Sequence, residues 1–542
     1  MNHEISDQPR RRLVALTAGI SIILAVLAAR VYSIQIIDGP IYEAMATAQQ
    51  RVAVAGVDSR GEICDRNGEQ LTGAKLQYIY ILRRDRIDDK EKVMNLLNRL
   101  EARERRTSNE KYRIFTSEHY MKSTGETLRK EYGAYIMQFP QRYEENQTAV
   151  YVLGYVRDSD GVGIAGLERA YDGFLGQRDK VIYGVADAAN RILPGYGVQN
   201  LQERSCRLVT TLDRELQKSL EEIVSGVEEG RACIIVTDVK SGEILASAAA
   251  PGYDPLQVEE LLKSDQSELL NIAFQGLYPP GSVFKSVVAA AALEEGIASL
   301  KTEFTCDGAE EFGEHGEVTV GCTSKDGHGT LTLEEAFAES CNCTFIQLGK
   351  SVGSEKILSM AERLGFGREV LSGLEMDHPG NLPSGDDTAG PGIANLSIGQ
   401  GTLLVTPLQV VQMTQIIAND GIDTGLYLVR GMESDSGFEP VERKQGLRIL
   451  SSNTAQDLLN MMRSVTQNGT ARSLRDWDCG GKTGSAEGYV NGVPAVHAWF
   501  TGVVPLEEPQ YAVTVFVEGG GSGGSVAVPV FERVLEVLGN EI

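Results

Sequence analysis

The sequence lacks the excess of positive charge that nucleic-acid-binding proteins need. Its 542 residues include 51 Lys and Arg against 75 Asp and Glu, which gives a formal net charge of −24. Because phosphates are bound by positive patches, this balance argues against nucleic acid and against a basic membrane-surface module. The hydrophobic content of 42% and the charged content of 23% are those of a folded protein, and the length predicts two or more domains.

The sequence also lacks any Cys-x-x-Cys pair. Its eight cysteines are scattered along the chain, so a zinc site of that type is unsupported, and most of them are expected to be buried as small hydrophobic residues. We therefore predict no metal and no cofactor. Cys306 and Cys322 flank a loop rich in Gly and Glu, and we predict that they can form a disulfide in an exported domain, with two free thiols as the alternative.

One apolar run, residues 13–37, is long enough to cross a bilayer, whose hydrocarbon core requires about 20 mostly apolar residues. It follows Arg10, Arg11 and Arg12, which mark the cytoplasmic side. No small-x-small site closes the run, so an anchor is favoured over a cleaved signal peptide. We predict a cytoplasmic tail over 1–12, a single membrane anchor over 13–37 and an extracytoplasmic remainder.

The rest of the chain contains no visible internal repeat. Residues 38–205 mix charged helical stretches, such as 88–106, with short apolar patches. From residue 206 onwards, strand patterns at 233–239, 243–249, 496–504 and 511–518 enclose a region with many helical patterns, 282–418. The order of strands, helices and strands predicts an α+β domain over 206–542, with its sheet completed by the C-terminal strands.

A Ser-x-x-Lys motif, Ser282 to Lys285, lies near the middle of the chain. Two prolines precede it and Gly296 ends the apolar run that follows, so a helix is predicted with Ser282 in its first turn. Residues three apart share a helix face, which places the lysine amine beside the serine hydroxyl. A partly desolvated lysine can be neutral enough to accept the serine proton. The same spacing at Ser108 and Lys111 falls in a charged stretch and favours a solvated helix face.

Two further motifs follow in order. Ser340-Cys341-Asn342 comes after a helical pattern whose cap candidates are Thr330 and Thr332, and Lys482-Thr483-Gly484-Ser485 leads into strand-like residues. Ser-x-x-Lys, Ser-x-Asn and Lys-Thr-Gly together are the signature of penicillin-interacting serine enzymes. The second and third motifs each have another copy in the chain. Ser451-Ser452-Asn453 is predicted at a helix start and Lys240-Ser241-Gly242 in a hairpin turn, so neither copy fits this order.

With these motifs, the chain resembles the class B high-molecular-mass penicillin-binding proteins, the monofunctional D,D-transpeptidases of elongation, division and sporulation. Further stretches resemble family motifs: residues 60–68, 142–143 with 153–155, and 166–171 for the pedestal, and residues 328–329, 399–401 and 406–409 for the catalytic domain. The resemblance implies a pedestal or dimerisation domain over 38–205. It also implies a transpeptidase domain over 206–542, in which a sheet is flanked by helices and joined by an all-helical subdomain.

The resemblance implies a role for each residue of the first two motifs. Ser282 would attack the carbonyl of the penultimate D-alanine of a stem peptide and form an acyl-enzyme, and an amine of a neighbouring stem would then take the acyl group. Lys285 would be the general base, Ser340 would relay a proton to the leaving amine, and Asn342 would hold substrate and lysine.

The third motif is assigned by the same resemblance. Lys482 would supply positive charge that lowers the pKa of Lys285, and the substrate carboxylate would be bound by Lys482, Thr483, Gly484 and Ser485. The backbone N–H groups of Ser282 and Ser485 would form the oxyanion hole.

The resemblance implies peptidoglycan stem peptides and β-lactams as ligands and a multi-spanning glycan polymerase as partner. A class A β-lactamase is disfavoured because no Glu-x-x-Leu-Asn segment occurs. A D,D-carboxypeptidase stays open, because water and an amine compete for the same acyl group. A non-catalytic β-lactam sensor or scaffold also stays open, although the intact motifs weaken it. The sequence does not show whether the protein serves elongation, division or sporulation. It also does not identify the acceptor amine.

Overall fold

The computed structural model describes residues 8–39, 42, 51–58, 60–73, 75–87, 90–105, 111–157, 161–176, 179–185, 199–200, 206–228, 230–263, 266–312 and 318–539. The chain forms two compact units that are interleaved in sequence. The first comprises residues 1–59, 77–139 and 179–203, and the second residues 60–76, 140–178 and 204–542. The boundary at residue 206 between pedestal and transpeptidase domain stays a prediction.

The described chain begins with a 25-residue helix, Gln8–Tyr32, which continues in a π-helical turn, Ser33–Ile37. The segment Arg11–Ile37 is long and apolar enough to cross a membrane, as the sequence predicted. Its large apolar side chains are exposed. Such exposure is expected of a helix whose side chains face lipid.

The described residues of the first unit form two small sheets. The four-stranded sheet has the order Arg103–Arg105, Tyr112–Ser117, Leu76–Arg83, Tyr135–Pro140. Helices Lys90–Asn98 and Lys122–Tyr132 supply Leu97 and Leu128 to a buried cluster with Tyr80 and Phe115 of this sheet. The three-stranded sheet has the order Arg51–Asp58, Asp179–Val185, Gln199–Asn200. The charged stretch 88–106 was predicted as helical, but it ends in a strand that pairs with Tyr112–Ser117.

The second unit is built on a five-stranded sheet. Its strands are β1 (Ala232–Asp238), β2 (Ile244–Ala250), β3 (Gly480–Val490), β4 (Val493–Val504) and β5 (Tyr511–Val517), in the order β2-β1-β5-β4-β3. All four pairings are antiparallel. The C-terminal strands therefore complete the sheet, as predicted. Nearly every side chain of β1, β2 and β5 is buried, so both faces of the sheet are covered.

Most of the remaining helices of this unit lie in the region between β2 and β3. Those that matter for the site are α1 (Lys285–Glu294), α2 (Leu333–Ala338) and α3 (Asn342–Val352). Thr332 is the N-cap of α2 and forms a capping box with Glu335, which decides between the two predicted caps. The other helices are Arg214–Ser225, Ser354–Arg363, Pro391–Ser397, Pro407–Ala418, Ser452–Gln467 and Val528–Gly539, with short ones at Val150–Leu153, Gly166–Ala170, Asp172–Leu175 and Val258–Leu261.

Two short hairpins interrupt the helical region, and the sequence patterns did not predict them. Strand Glu303–Cys306 pairs with Gly329–Thr332, and Ala309–Phe312 pairs with Val318–Gly321. The unit is completed by a four-stranded sheet in the order Gly437–Pro440, Val429–Ser434, Arg207–Thr210, Glu62–Cys64 and by the pair Ile422–Asp423 with Leu447–Arg448.

A buried glutamate joins three distant segments of the second unit. The side chain of Glu168 is fully buried and forms ion pairs with Arg60 and Arg142. Arg142 Nε donates to Glu168 Oε1 over 2.7 Å, and the Tyr143 hydroxyl donates to the same oxygen over 2.9 Å. The three stretches that resemble pedestal motifs therefore meet at one charge cluster. Because a buried carboxylate without partners is costly, these contacts fix the segments relative to each other.

Candidate active site

Ser282 lies in a 3₁₀ turn, Gly281–Phe284, that leads directly into α1. Residues three apart eclipse each other in a 3₁₀ helix, so Ser282 and Lys285 share a face, as the sequence predicted. Ser282 is partly exposed, whereas Lys285 is 0% exposed. The predicted helix end is also present, because Gly296 adopts a positive φ of 64° just after α1.

Close backbone packing holds this turn in place. The N–H of Gly281 donates to the carbonyl of Gly399 over 2.8 Å. A Cβ at Gly281 would lie 2.9 Å from the Ser485 carbonyl oxygen, and a Cβ at Gly484 would lie 3.1 Å from the Pro280 carbonyl oxygen. Glycine at these positions lets strand β3 and the Gly399 loop approach the turn from two sides. The backbones of the proposed oxyanion-hole residues, Ser282 and Ser485, are thereby brought next to each other.

The second motif connects α2 to α3, with Asn342 as the first residue of α3, and contacts Lys285 directly. Lys285 Nζ donates to the Ser340 carbonyl over 2.6 Å, to Ser340 Oγ over 3.3 Å and to Asn342 Oδ1 over 2.8 Å. Ser340 itself has a φ of 56°, in the left-handed region that only glycine adopts without strain. Such strain is typical of residues held in place for function. The structure thus brings Lys285, Ser340 and Asn342 into one hydrogen-bonded group.

The third motif lies on β3, the last strand in the order of its sheet. Lys482 is fully buried, and its Nζ donates to the Thr483 carbonyl over 3.1 Å and lies 5.4 Å from the centroid of the Phe337 ring. The hydroxyls of Thr483 and Thr470 are 2.6 Å apart. Ser485 is exposed, and its Oγ accepts a hydrogen bond from the N–H of Gly523 over 3.1 Å. Strand β3 therefore carries both the buried amine and an exposed hydroxyl.

The two buried lysines have lowered pKa values. Burial lowers the pKa of Lys285 to about 8, against the raising effect of the nearby Cys341, Cys322 and Cys343 thiols. Burial, followed by the charge on Lys285, lowers the pKa of Lys482 well below its ordinary value. A charged amine is disfavoured where water is excluded, so the free amine of Lys285 becomes available at a much lower pH than that of an exposed lysine. The sequence interpretation gave both desolvation and the charge of Lys482 as causes of the lowered Lys285 pKa, and in the structure the main cause is burial.

Several contacts in the site involve partners that belong to no motif in the sequence. Asn342 Nδ2 donates to the Gly321 carbonyl over 3.1 Å, which fixes the amide that faces Lys285. Lys285 Nζ also lies 5.4 Å from the centroid of the Phe345 ring. Thr470, whose hydroxyl meets Thr483, lies 13 residues before it, after helix Ser452–Gln467. These contacts depend on the tertiary fold, so the sequence did not predict them. Among the segments that pack against the motifs, only Gly399-Gln400-Gly401 had been noted, through the family resemblance.

The competing motif copies lie elsewhere in the second unit. Ser451 is the N-cap of helix Ser452–Gln467, as predicted, and accepts from the N–H of Thr454. Lys240 and Ser241 lie in the turn between β1 and β2, where the N–H and hydroxyl of Ser241 both donate to Asp238. Ser108 lies outside the described residues.

A group of cysteines packs beside the second motif. Cys306 and Cys322 are free thiols, so the disulfide predicted from the sequence is not formed in this structure. The Nδ1 atom of His328 lies 3.5 Å from the Cys306 sulfur and 3.6 Å from the Cys322 sulfur. Cys341, the middle residue of the second motif, is also free, and its sulfur lies 3.8 Å from that of Cys322.

Comparison with known proteins identifies the family of this chain. Residues 232–536 match the family model "Penicillin binding protein transpeptidase domain". The chain is 31% identical to the peptidoglycan D,D-transpeptidase PbpA of Mycolicibacterium smegmatis over 429 residues, which cover 72% of this chain and 81% of PbpA. It is 28% identical to the penicillin-binding protein PbpB of the same organism over 430 residues, which cover 73% of this chain and 64% of PbpB, so the match spans less than two thirds of that longer relative.

A solved structure is similar over almost the whole chain. It is described as "Structural coordination of polymerization and crosslinking by a peptidoglycan synthase complex" and aligns with a TM-score of 0.71 and 26% identity, covering 97% of each chain. The family model covers more than half of the chain, and the identity to PbpA and the shared fold point to the same family. The chain therefore belongs to the class B penicillin-binding proteins, a family of serine peptidoglycan D,D-transpeptidases.

Proposed function

We propose that this chain cross-links peptidoglycan by transferring the acyl group of one stem peptide, through Ser282, to an amine of a second stem peptide. The observation that carries the proposal is the buried Lys285 amine, which is fixed by Ser340 and Asn342 one 3₁₀ turn after Ser282. Burial lowers the pKa of this amine to about 8. A serine hydroxyl requires such a base to become a nucleophile.

The first half-reaction forms the acyl-enzyme. Neutral Lys285 accepts the proton of Ser282 Oγ as that oxygen bonds to the carbonyl carbon of the penultimate D-alanine. The N–H groups of Ser282 and Ser485 stabilise the oxyanion. The bond between carbon and the terminal nitrogen then breaks, and the proton on Lys285 passes through Ser340 Oγ to the departing amine of D-alanine. The 3.3 Å contact between Lys285 Nζ and Ser340 Oγ supports this relay.

The second half-reaction transfers the acyl group. An acceptor amine gives up a proton along the same route in reverse and forms a new amide bond, while Ser282 Oγ regains its proton. If water attacks instead, the same site acts as a D,D-carboxypeptidase, so the choice of acceptor separates the two activities.

Substrate binding is assigned to strand β3. A strand at the end of a sheet has backbone groups available to pair with an extended peptide. Lys482, Thr483 and Ser485 on this strand supply an amine and two hydroxyls for the substrate carboxylate, and Gly484 allows close approach to the Ser282 turn. We further propose that the helix over residues 13–37 anchors the chain with its N-terminus in the cytoplasm, because three arginines precede the apolar run.

A glycan polymerase is proposed as the partner. The similar structure of a peptidoglycan synthase complex couples polymerisation with cross-linking by its own description. This chain matches it over 97% of its length, which supports a comparable assembly through the anchor and the first unit.

The proposal is tested by product analysis with the purified full-length chain, a glycan polymer bearing pentapeptides and variants Ser282→Ala and Ser108→Ala. Wild type and Ser108→Ala should yield cross-linked dimer together with one D-alanine per cross-link, and Ser282→Ala should yield neither. Ser108 provides a matched control because it has the same spacing to a lysine. Free D-alanine without dimer would identify a carboxypeptidase, and cross-linking by Ser282→Ala would reject the nucleophile.

A further inference from the structure

Strand β3 continues well beyond the third motif. Its pairing with β4 runs without a register shift from Gly480, opposite Val503, to Val490, opposite Val493. Among the residues that the structure describes, no strand pairs with the other edge of β3. This edge therefore offers the residues after Ser485 to an extended peptide, on a backbone that the ladder with β4 holds in place.

Side chains in this part of β3 alternate between the two faces of the sheet. Ala486 is fully buried, and a Cβ at Gly488 would collide with the ring of the buried His497, so both positions face the core. Glu487 and Tyr489 are exposed, and Tyr489 is 70% exposed. Because successive residues of a strand point to opposite faces, the side chains of Glu487 and Tyr489 both lie on the outer face.

The outer face beyond Ser485 combines one carboxylate with apolar side chains. Glu487 lies two residues after Ser485, about 7 Å further along the same face. The cross-strand partner of Glu487 is Val496 and that of Tyr489 is Pro494, and all four side chains are exposed. Within the described part of the chain, the Glu487 carboxylate forms no hydrogen bond or ion pair. A free carboxylate beside an aromatic ring and aliphatic groups fits an aliphatic chain that ends in an ammonium group.

The space along β3 sets the direction of a bound stem peptide. In the proposed function, the third motif binds the carboxylate of the terminal D-alanine, and Ser282 attacks the carbonyl one residue earlier in the stem. Before Ser485 the strand is covered, since Thr483 is 5% exposed and its hydroxyl lies against that of Thr470. The stem therefore runs antiparallel to β3 and passes Glu487. Because its side chains also alternate, the residue two positions before the terminal D-alanine comes level with Glu487.

We propose that Glu487 binds the side-chain ammonium of this residue in the donor stem, with Tyr489 and Val496 against its aliphatic part. The recognition rests on the proposed function, which requires each stem to carry an amine that can accept an acyl group. A free amine is charged and pairs with Glu487, whereas an amine that has already been acylated is neutral and does not. Glu487 thus selects donor stems whose amine is still free, so a stem acts as donor before it acts as acceptor.

Turnover of two matched donors tests the recognition. One is a glycan polymer bearing pentapeptides with free side-chain amines, the other is the same polymer after acetylation of those amines, and an excess of a fluorescent D-amino acid serves as common acceptor. Released D-alanine counts donor turnover whichever amine accepts. The full-length chain in detergent should prefer the free donor in kcat/KM by about threefold to tenfold, the range for a partly exposed charged hydrogen bond. The preference should lie mainly in KM, because the contact is the same in the ground state and the transition state.

Substitutions at Glu487 should change this preference. Glu487→Gln should bring the ratio of the two kcat/KM values close to one, and Glu487→Lys should bring it below one, because a lysine repels the ammonium. A ratio of two donors does not depend on the amount of active protein, so partial misfolding of a variant leaves it unchanged. Glu508→Gln is the matched control, since Glu508 is an exposed carboxylate between β4 and β5, near the opposite end of the sheet. It removes the same charge and should keep the wild-type ratio.

The outcomes separate the recognition from the proposed function. A wild-type chain without preference would overturn the role of Glu487 and leave the proposed function intact. A preference that persists in Glu487→Gln would assign it to the bulk of the acetyl group, and a preference lost in Glu508→Gln would assign it to net charge, and either result would overturn that role. Wild-type chain that releases no D-alanine from either donor would overturn the proposed function and the recognition together.

Discussion

At the scale of single residues, the account depends on the protonation of Lys285. Burial disfavours its ammonium form and lowers its pKa to about 8. The ammonium predominates below that pH and cannot accept the Ser282 proton, whereas the free amine above it can. The rate of acylation by a fluorescent penicillin should therefore rise with pH through about 8 and then level off, falling to about one hundredth of the plateau near pH 6. A rate that is flat or declines over this range would contradict Lys285 as the base.

Substitutions of Ser340 can distinguish the strain of its backbone from the chemical role of its hydroxyl. Its φ of 56° strains any residue with a Cβ, and its hydroxyl contacts Lys285. Both Ser340→Ala and Ser340→Gly should slow acylation, because both remove the hydroxyl. The glycine variant should exceed the alanine variant in free energy of unfolding by about 1 kcal/mol, because it relieves the strain.

The matched control for Ser340 is Asn491, in the turn between β3 and β4, with a φ of 51°. Asn491→Gly should be more stable than Asn491→Ala by a similar amount, but both should keep the wild-type acylation rate. Equal stability of Ser340→Ala and Ser340→Gly would show that the strain is absent.

At the scale of elements, the site depends on how closely the Gly399 loop packs against the Ser282 turn. A Cβ at Gly399 would lie 2.1 Å from the Gly281 carbonyl oxygen, whereas a Cβ at Gly296 would meet nothing within 4 Å. Both glycines have positive φ, so alanine strains both backbones alike. Gly296→Ala should lower the free energy of unfolding by about 1 kcal/mol and leave the rate of acylation unchanged. Gly399→Ala should lower the free energy of unfolding by about 1–3 kcal/mol more than Gly296→Ala does. It should also slow acylation strongly, because the turn that carries Ser282 must shift. Equal effects in unfolding and acylation assays would contradict this packing.

The elements also show what the sequence could predict. Strands β1, β2, β4 and β5 were placed within about three residues by their β-branched and apolar runs between turn signals. The hairpins between residues 303 and 332 were missed, because their strands are short, largely exposed and rich in Gly and Glu. The candidate site residues could be named from the sequence because three motifs in a fixed order are far more specific than any one of them.

At the scale of the whole molecule, Glu168 connects parts of the chain that are over a hundred residues apart. Glu168→Gln leaves Arg142 without this buried counterion and leaves Arg60 with only the partly exposed Asp172. Breaking a buried pair of this kind typically costs about 3–5 kcal/mol. Glu126→Gln, at an exposed pair with Lys130, should change the free energy of unfolding by about 0.5 kcal/mol or less. Urea unfolding measures both, and a loss at Glu168 no larger than that at Glu126 would show that the cluster does not hold the segments together.

The central claim is that Ser282 carries the acyl group. The most direct test is to acylate the full-length chain with a β-lactam, digest it and locate the adduct by tandem mass spectrometry. The adduct should be found on Ser282 and on no other residue, and it should be absent from Ser282→Ala but present on Ser108→Ala. An adduct on Ser340, or on any residue other than Ser282, would contradict the account.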